Sequence, residues 1–160
     1  MICLRQGLLG AAFAALPVLA HAAASCTVSA TGPAFGVYSP ANASPTVSNG
    51  NVTASCTWTG GGATTVNLVA SYSPGNSGSY PNRWMLSGTN RLNYNLYFES
   101  TFQTIRGNGT GGTQTGSASL SVSSANRTAT ATGTIFGRIP AGQDAVPGSY
   151  SDTIVITMTY

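Results

Sequence analysis

From Cys26 onward, apolar side chains recur at every second position in short runs rich in Val, Ile, Thr and Tyr. That is the two-residue period of a β-strand with one buried face. The clearest runs are Cys26–Thr31, Phe35–Tyr38, Asn51–Thr59, Thr65–Tyr72, Leu92–Ser100, Ser117–Val122, Arg127–Gly137 and Tyr150–Tyr160. Clusters that tolerate positive φ separate them: Ser48-Asn49-Gly50, Gly60-Gly61-Gly62, Ser73-Pro74-Gly75-Asn76 and Asn108-Gly109 are predicted turns, and Gly107–Gly116 a loop. No run of ordinary helical length shows a 3.6-residue period. Many short strands at this spacing predict an all-β sandwich or barrel.

The final run has the cleanest alternation. Ile154, Ile156, Met158 and Tyr160 share one face, and Thr153, Val155, Thr157 and Thr159 share the other. An apolar strand with nothing after it to lie alongside is an aggregation hazard unless something covers its edge. Either an earlier strand does so, or a partner does.

The N-terminal stretch follows another pattern. Arg5 precedes an apolar run from Leu8 to Ala20, and small residues surround His21. This order predicts a secretory signal over residues 1–22, cut after Ala22 or two residues later, and a soluble, exported domain over residues 23–160. The run is too short to span a bilayer comfortably. Ala23-Ala24-Ser25-Cys26 only faintly resembles a lipidation signal, and acylating Cys26 would strand Cys56. With Cys3 in the leader, Cys26 and Cys56 are an even pair bound for an oxidising compartment and are expected to form a disulfide.

Charge narrows the function. Only 6% of residues are charged, so Gly, Ser, Thr and Asn must keep the surface wet. Arg83, Arg91, Arg106, Arg127 and Arg138 face Glu99, Asp144 and Asp152, an excess of two positive charges, too thinly spread for a phosphate track; no nucleic-acid partner is expected. Beyond the leader there is no His, and the whole chain has no Lys, so the residue types that usually serve acid–base and nucleophilic chemistry are scarce. Asp144 and Asp152 could be read as a carboxylate pair, but an ion pair with Arg138 is the preferred reading. Two cysteines without His make no zinc set, and three scattered carboxylates make no calcium cage. The expectation is a non-enzyme with no catalytic residue, metal or cofactor. The Asn-X-Ser/Thr tripeptides at Asn42, Asn51, Asn108 and Asn126 are expected by chance in so Asn- and Thr-rich a chain, and Trp58, Trp84 and the tyrosines serve a core more often than a sugar platform.

Several motifs occur together in a recognisable order. Cys26 is followed by Phe35-Gly36-Val37-Tyr38, Cys56, Arg83-Trp84-Met85 and Leu92-Asn93-Tyr94-Asn95-Leu96-Tyr97. Near the end come Gly137-Arg138-Ile139-Pro140-Ala141-Gly142-Gln143, Gly148-Ser149-Tyr150-Ser151-Asp152-Thr153 and a terminal strand. From Cys26 to Tyr160 the chain resembles the spore coat protein U domain family, shared with subunits of archaic, Csu-type chaperone–usher pili. The resemblance implies an incomplete immunoglobulin-like sandwich lacking its last strand. A periplasmic chaperone, and later a neighbouring subunit delivered at an outer-membrane usher, would supply that strand, with Ile154, Ile156, Met158 and Tyr160 lining the groove. The implied role is a surface-fibre subunit. A spore or envelope coat protein is the first alternative and a secreted lectin the second. Two departures stand out. Arg106 precedes Gly107 where many relatives place Trp, and only Ala23, Ala24 and Ser25 lie between the expected cut and Cys26, too little to donate as a strand. The expectation is a subunit that accepts a strand without donating one, which suits a fibre end.

Overall fold

The computed structural model describes residues 23–160, and the leader expected over residues 1–22 lies outside them. The alternating runs form eight strands: β1 (Ala24–Thr31), β2 (Thr46–Trp58), β3 (Thr64–Tyr72), β4 (Arg83–Ser87), β5 (Asn90–Tyr97), β6 (Gly116–Val122), β7 (Thr128–Ile139) and β8 (Ile156–Thr159). Among the described residues the only helical element is one 3₁₀ turn at Gly75–Ser77. A five-stranded sheet in the order β1-β2-β7-β5-β4 faces a three-stranded sheet in the order β6-β3-β8. The strand pairs are antiparallel throughout.

Period two decides what each face carries. Val52, Ala54 and Cys56 of β2 point inward with Val66, Leu68, Ala70 and Tyr72 of β3, Leu92, Tyr94 and Leu96 of β5, and Ile135 and Ile139 of β7. The opposite positions hold hydroxyls in cross-strand rows, such as Thr27, Ser55 and Thr130. A surface with so few charges is thereby hydrated by Ser and Thr.

Four expectations change against the structure. Ser48-Asn49-Gly50, expected as a turn, lies inside β2; Gly50 belongs there because a Cβ would strike the Thr31 carbonyl. Phe35–Tyr38 joins no ladder, since Gly36 at φ +69° breaks the extension. That segment instead crosses the inner face of β7, where a Cβ on Gly137 would stand 2.7 Å from the Phe35 ring. β4 was not among the expected strands, because Arg83 at an inward position disguises its alternation. The last run is shorter than its pattern: regular pairing covers Ile156–Thr159, and Ser151 makes an isolated bridge to Leu86.

Cys26 and Cys56 lie directly opposite in the β1–β2 register, 4.0 Å apart at Cα, and are joined as a disulfide. The bond fastens the start of β1 to the end of β2, beside the open flank described next.

Candidate functional site

The backbone ladders reveal which strand edges are used. Leu86 and Ser151 exchange both main-chain bonds, Ser73 N–H donates to the Val155 carbonyl at 2.9 Å, and β8 continues beside β3 with Thr157 opposite Ser71. Ser151, Thr157 and Thr159 thus turn their main-chain groups to β4 and β3 and Val155 turns to Ser73 just beyond β3, while the Thr153 N–H donates to the Asp152 carboxylate at 2.7 Å. Antiparallel alternation then turns the N–H and C=O of Ile154, Ile156 and Met158 to the far edge. No strand lies along that edge among the described residues.

β1 presents the mirror situation. Thr59 N–H donates to the Ala23 carbonyl, so odd positions of β1 bond β2 and even positions direct their main-chain groups to the free edge. The side chains of Cys26, Val28 and Ala30 share the inward face with Val52, Ala54 and Cys56. Yet Val28 remains 39% exposed and Ala30 is also exposed. Across from them Ile154, Ile156 and Met158 are only half-buried, packed against the core from one side. Inward-facing apolar side chains on two facing free edges define a flank from which one strand is missing.

The flank widens into two continuous hollows. One, of about 470 Å³, lies between Ala30, Pro33 and Phe35 on one wall and Tyr150–Ile156 on the other, floored by Met85, Tyr94 and Ile135. The next, of about 720 Å³, continues between Phe35–Tyr38 and Ala145–Tyr150 over Leu92 and Ile139. The conspicuous sequence motifs build these walls. Pro140 follows the end of β7, Gly142 turns at φ +70°, and the Gln143 amide then pairs with both main-chain groups of Asn93 on β5, at 2.8 and 2.9 Å. The Gln143 N–H also donates to the Tyr38 hydroxyl, 2.8 Å away, tying one wall to the other.

The expected Asp152–Arg138 ion pair is replaced by other partners. The Asp152 carboxylate accepts from the Tyr94 hydroxyl at 2.7 Å and from the Asn76 N–H at 2.9 Å. Gly75 is needed beside it, because a Cβ there would strike the carboxylate. Burial, reinforced by this hydrogen bond, raises the Tyr94 phenol far above its ordinary range. Arg138 lies instead over the Phe102 ring, 5.4 Å away, on the outer face.

Two other arginines are structural. Arg83 is fully buried and donates to Asn95 Oδ1 and to the carbonyls of Ser73 and Arg106. Its Nε has no partner among the described residues. Arg106 stacks 3.9 Å from the Phe98 ring centroid and bonds the Tyr72 hydroxyl and the carbonyls of Tyr97 and Thr134. Desolvation lowers the Arg106 pKa, opposed by the Tyr72 phenol.

Sequence comparison assigns the chain. The Spore Coat Protein U domain model matches residues 12–157. The chain belongs to the Spore Coat Protein U domain family. No protein of curated function matches by sequence. Among solved structures, this family member is similar to a chain in the CsuC–CsuE chaperone–tip adhesion subunit pre-assembly complex from the archaic chaperone-usher Csu pili of Acinetobacter baumannii. Sequence identity is 18% and the TM-score 0.50, over 86% of this chain and 40% of that one. The chain thus spans about two fifths of the length of that structure's chain, and the likeness supports the immunoglobulin-like fold.

Of the residues singled out in the sequence, Ile154, Ile156 and Met158 form one half-buried row, whereas Tyr160 lies past β8 and is 59% exposed. The opposing wall, Val28, Ala30, Pro33 and Phe35, escaped the sequence reading. Its signal was the Cys26-x-Val28-x-Ala30 alternation against an all-hydroxyl outer face. Trp58 and Trp84, weighed as a sugar platform, are not brought together, since β7 and β5 separate their strands.

Proposed function

We propose that this chain is a subunit of a chaperone–usher surface fibre whose sandwich is finished by a strand from another protein. One observation carries the reading: the free edges of β8 and β1 both expose main-chain groups and inward apolar side chains toward the same gap. A strand laid there would satisfy the N–H and C=O groups of Ile154, Ile156 and Met158. Its alternate side chains would cover Val28, Ala30 and the two hollows. Each large apolar side chain it buried would contribute about 1.5–3 kcal/mol. The occupant is first a periplasmic chaperone and then a neighbouring subunit, exchanged at the outer-membrane usher. The route is export under the signal over residues 1–22, and the destination is the cell surface. No catalytic step enters this role.

The finer placement is at a fibre end. Ala24 and Ser25 are already paired with Trp58 and Thr57, and Ala23 is bonded to Thr59, so nothing between a cut after Ala22 and Cys26 is free to be donated. N-terminal sequencing of the exported protein tests this placement, and a start far upstream of Ala22 overturns it.

The main test is to express the exported chain with and without a candidate periplasmic chaperone. A soluble one-to-one complex is expected with it, and an aggregating or protease-sensitive chain without it. A stable lone monomer whose Ile154, Ile156 and Met158 amides resist hydrogen exchange would refute strand acceptance. The family's description also favours a coat protein as a second reading, with the same groove filled within a non-fibrous layer.

A further inference from the structure

The chain holds two Asn-Gly pairs, and the fold treats them oppositely. In such a pair the side-chain amide approaches the next main-chain nitrogen with little hindrance, because glycine puts no Cβ in the way. Asn49-Gly50 lies inside β2. The Trp58 N–H donates to the Arg127 carbonyl, and the register carried along from that pair makes Gly50 and Ile135 a hydrogen-bonded pair. The Gly50 nitrogen is therefore spent on the ladder. Asn108-Gly109 lies in the loop between β5 and β6, and both residues are exposed. Among the described residues no hydrogen bond engages the Gly109 N–H or Asn108 Nδ2.

Thr110 orients the Asn108 side chain. The Asn108 Oδ1 accepts from the Thr110 N–H at 3.1 Å and from the Thr110 hydroxyl at 2.7 Å. Thr110 is itself fixed from across the loop, since its carbonyl accepts from the Thr113 N–H at 3.1 Å and the Thr113 hydroxyl at 2.7 Å. The base of the loop is pinned as well, with the Gly107 N–H on the Gln114 carbonyl at 2.8 Å. Gly109 sits at φ +86°, and a Cβ there would meet only the Thr115 methyl, so the space beside its nitrogen is open. Two donors on one amide oxygen do more than hold it. They stand where negative charge collects when a nucleophile adds to Asn108 Cγ, which is the arrangement that stabilises a tetrahedral oxyanion.

The nucleophile at hand is the Gly109 nitrogen, one peptide unit away, and an amide already held in place favours such an intramolecular attack. The nitrogen gives its proton to water and bonds Asn108 Cγ, closing a ring, while the Oδ1 anion rests on the two Thr110 donors. The anion collapses as Nδ2 takes up a proton and leaves as ammonia, and the ring is then a succinimide. Water opens it at either carbonyl: aspartate results where the bond from Cγ to nitrogen breaks, isoaspartate where the main-chain carbonyl gives up the nitrogen. One water enters and one ammonia leaves, with no oxidant or cofactor. The product places a carboxylate in a loop, Gly107–Gly116, that otherwise carries none.

We propose that Asn108 is a site of spontaneous covalent modification, cyclising onto Gly109 with the assistance of Thr110 and ageing to aspartate and isoaspartate while Asn49 is spared. None of these loop residues lines the hollows of the open flank, so the site stands independently of strand acceptance. The full chain, in whichever assembly it is recovered, is held for days in neutral buffer. Its peptides are then resolved by mass spectrometry and chromatography into asparagine, succinimide, aspartate and isoaspartate forms. Asn108 is expected to convert at least tenfold faster than Asn49 in the folded chain, and the two to convert within threefold of one another in concentrated urea. Thr110→Val removes the hydroxyl donor and should slow Asn108 at least threefold in the folded chain while leaving its rate in urea unchanged. Equal rates at Asn49 and Asn108 in the folded chain would overturn the proposal. So would a Thr110→Val chain that converts as fast as the parent, or one slowed equally in urea. Recovery of Asn108 carrying a sugar on Nδ2 would overturn it as well, because the leaving nitrogen would then be blocked.

Discussion

Burial raises the pKa of three tyrosine phenols, Tyr72 and Tyr94 inside the sandwich and Tyr97 half-buried against Phe102. In the unfolded chain a phenol ionises near pH 10. A group whose folded pKa lies above its unfolded one lends stability that is complete below the unfolded value. That stability is lost as pH rises through the folded value. The midpoint of chemical unfolding is therefore expected to hold steady to about pH 9.5 and to fall above pH 10. Changing Tyr94 to Phe should blunt the fall, and spectrophotometric titration should show three phenols ionising late. Arg106 poses a second question at this scale, since it donates to three groups and covers the Phe98 ring. Arg106→Ala would strand those acceptors and leave a cavity, so a loss of about 3 kcal/mol or more in urea unfolding is expected.

For the C-terminal strand, the important quantity is the parity of its hydrogen bonds. Apart from Thr153, whose N–H goes to the Asp152 carboxylate, odd positions bond β4, β3 or Ser73 just beyond it, and even positions face the gap. Amide exchange should therefore alternate along this strand, slow at Ser151, Thr157 and Thr159 and fast at Ile154, Ile156 and Met158. Adding a strand-donating partner should erase the alternation by slowing the even set. Exchange that is uniformly slow before any partner is added would mean the edge is already paired. The strand's existence and inward face were legible in the sequence, because alternation is a local property. Its pairing was not. Which edge remains free depends on where β3, β4 and β1 fall in space, and no local pattern encodes that.

Across the whole molecule, the Cys26–Cys56 bond spans 30 residues and ties β1, one wall of the gap, to the core strand β2. On the chain-entropy account such a loop contributes about 3–4 kcal/mol. Replacing both cysteines with Ala should lower unfolding stability by about that amount. It should also release β1 first, seen as faster exchange at Val28 and Ala30 than at β3. The pairing was readable from cysteine parity and export, whereas its place beside the open flank was not.

The sequence by itself determined the class of fold, through period-two alternation, and the hydroxyl surface, through its scarcity of charge. It also made Cys26 and Cys56 partners, and its motif order agreed with the family later shown. Only the tertiary structure decided that Phe35–Tyr38 crosses the core instead of joining a sheet, that Gly50 lies within a strand, and that Asp152 bonds Tyr94 instead of Arg138. It also decided that Val28 and Ala30 face Ile154 and Ile156 across an empty strand position. Alternation specifies which side of a strand is apolar because side chains alternate along one backbone. Which edges meet, and which remain unmet, depends on where residues more than a hundred positions apart in the chain, such as Val28 and Ile156, fall in space.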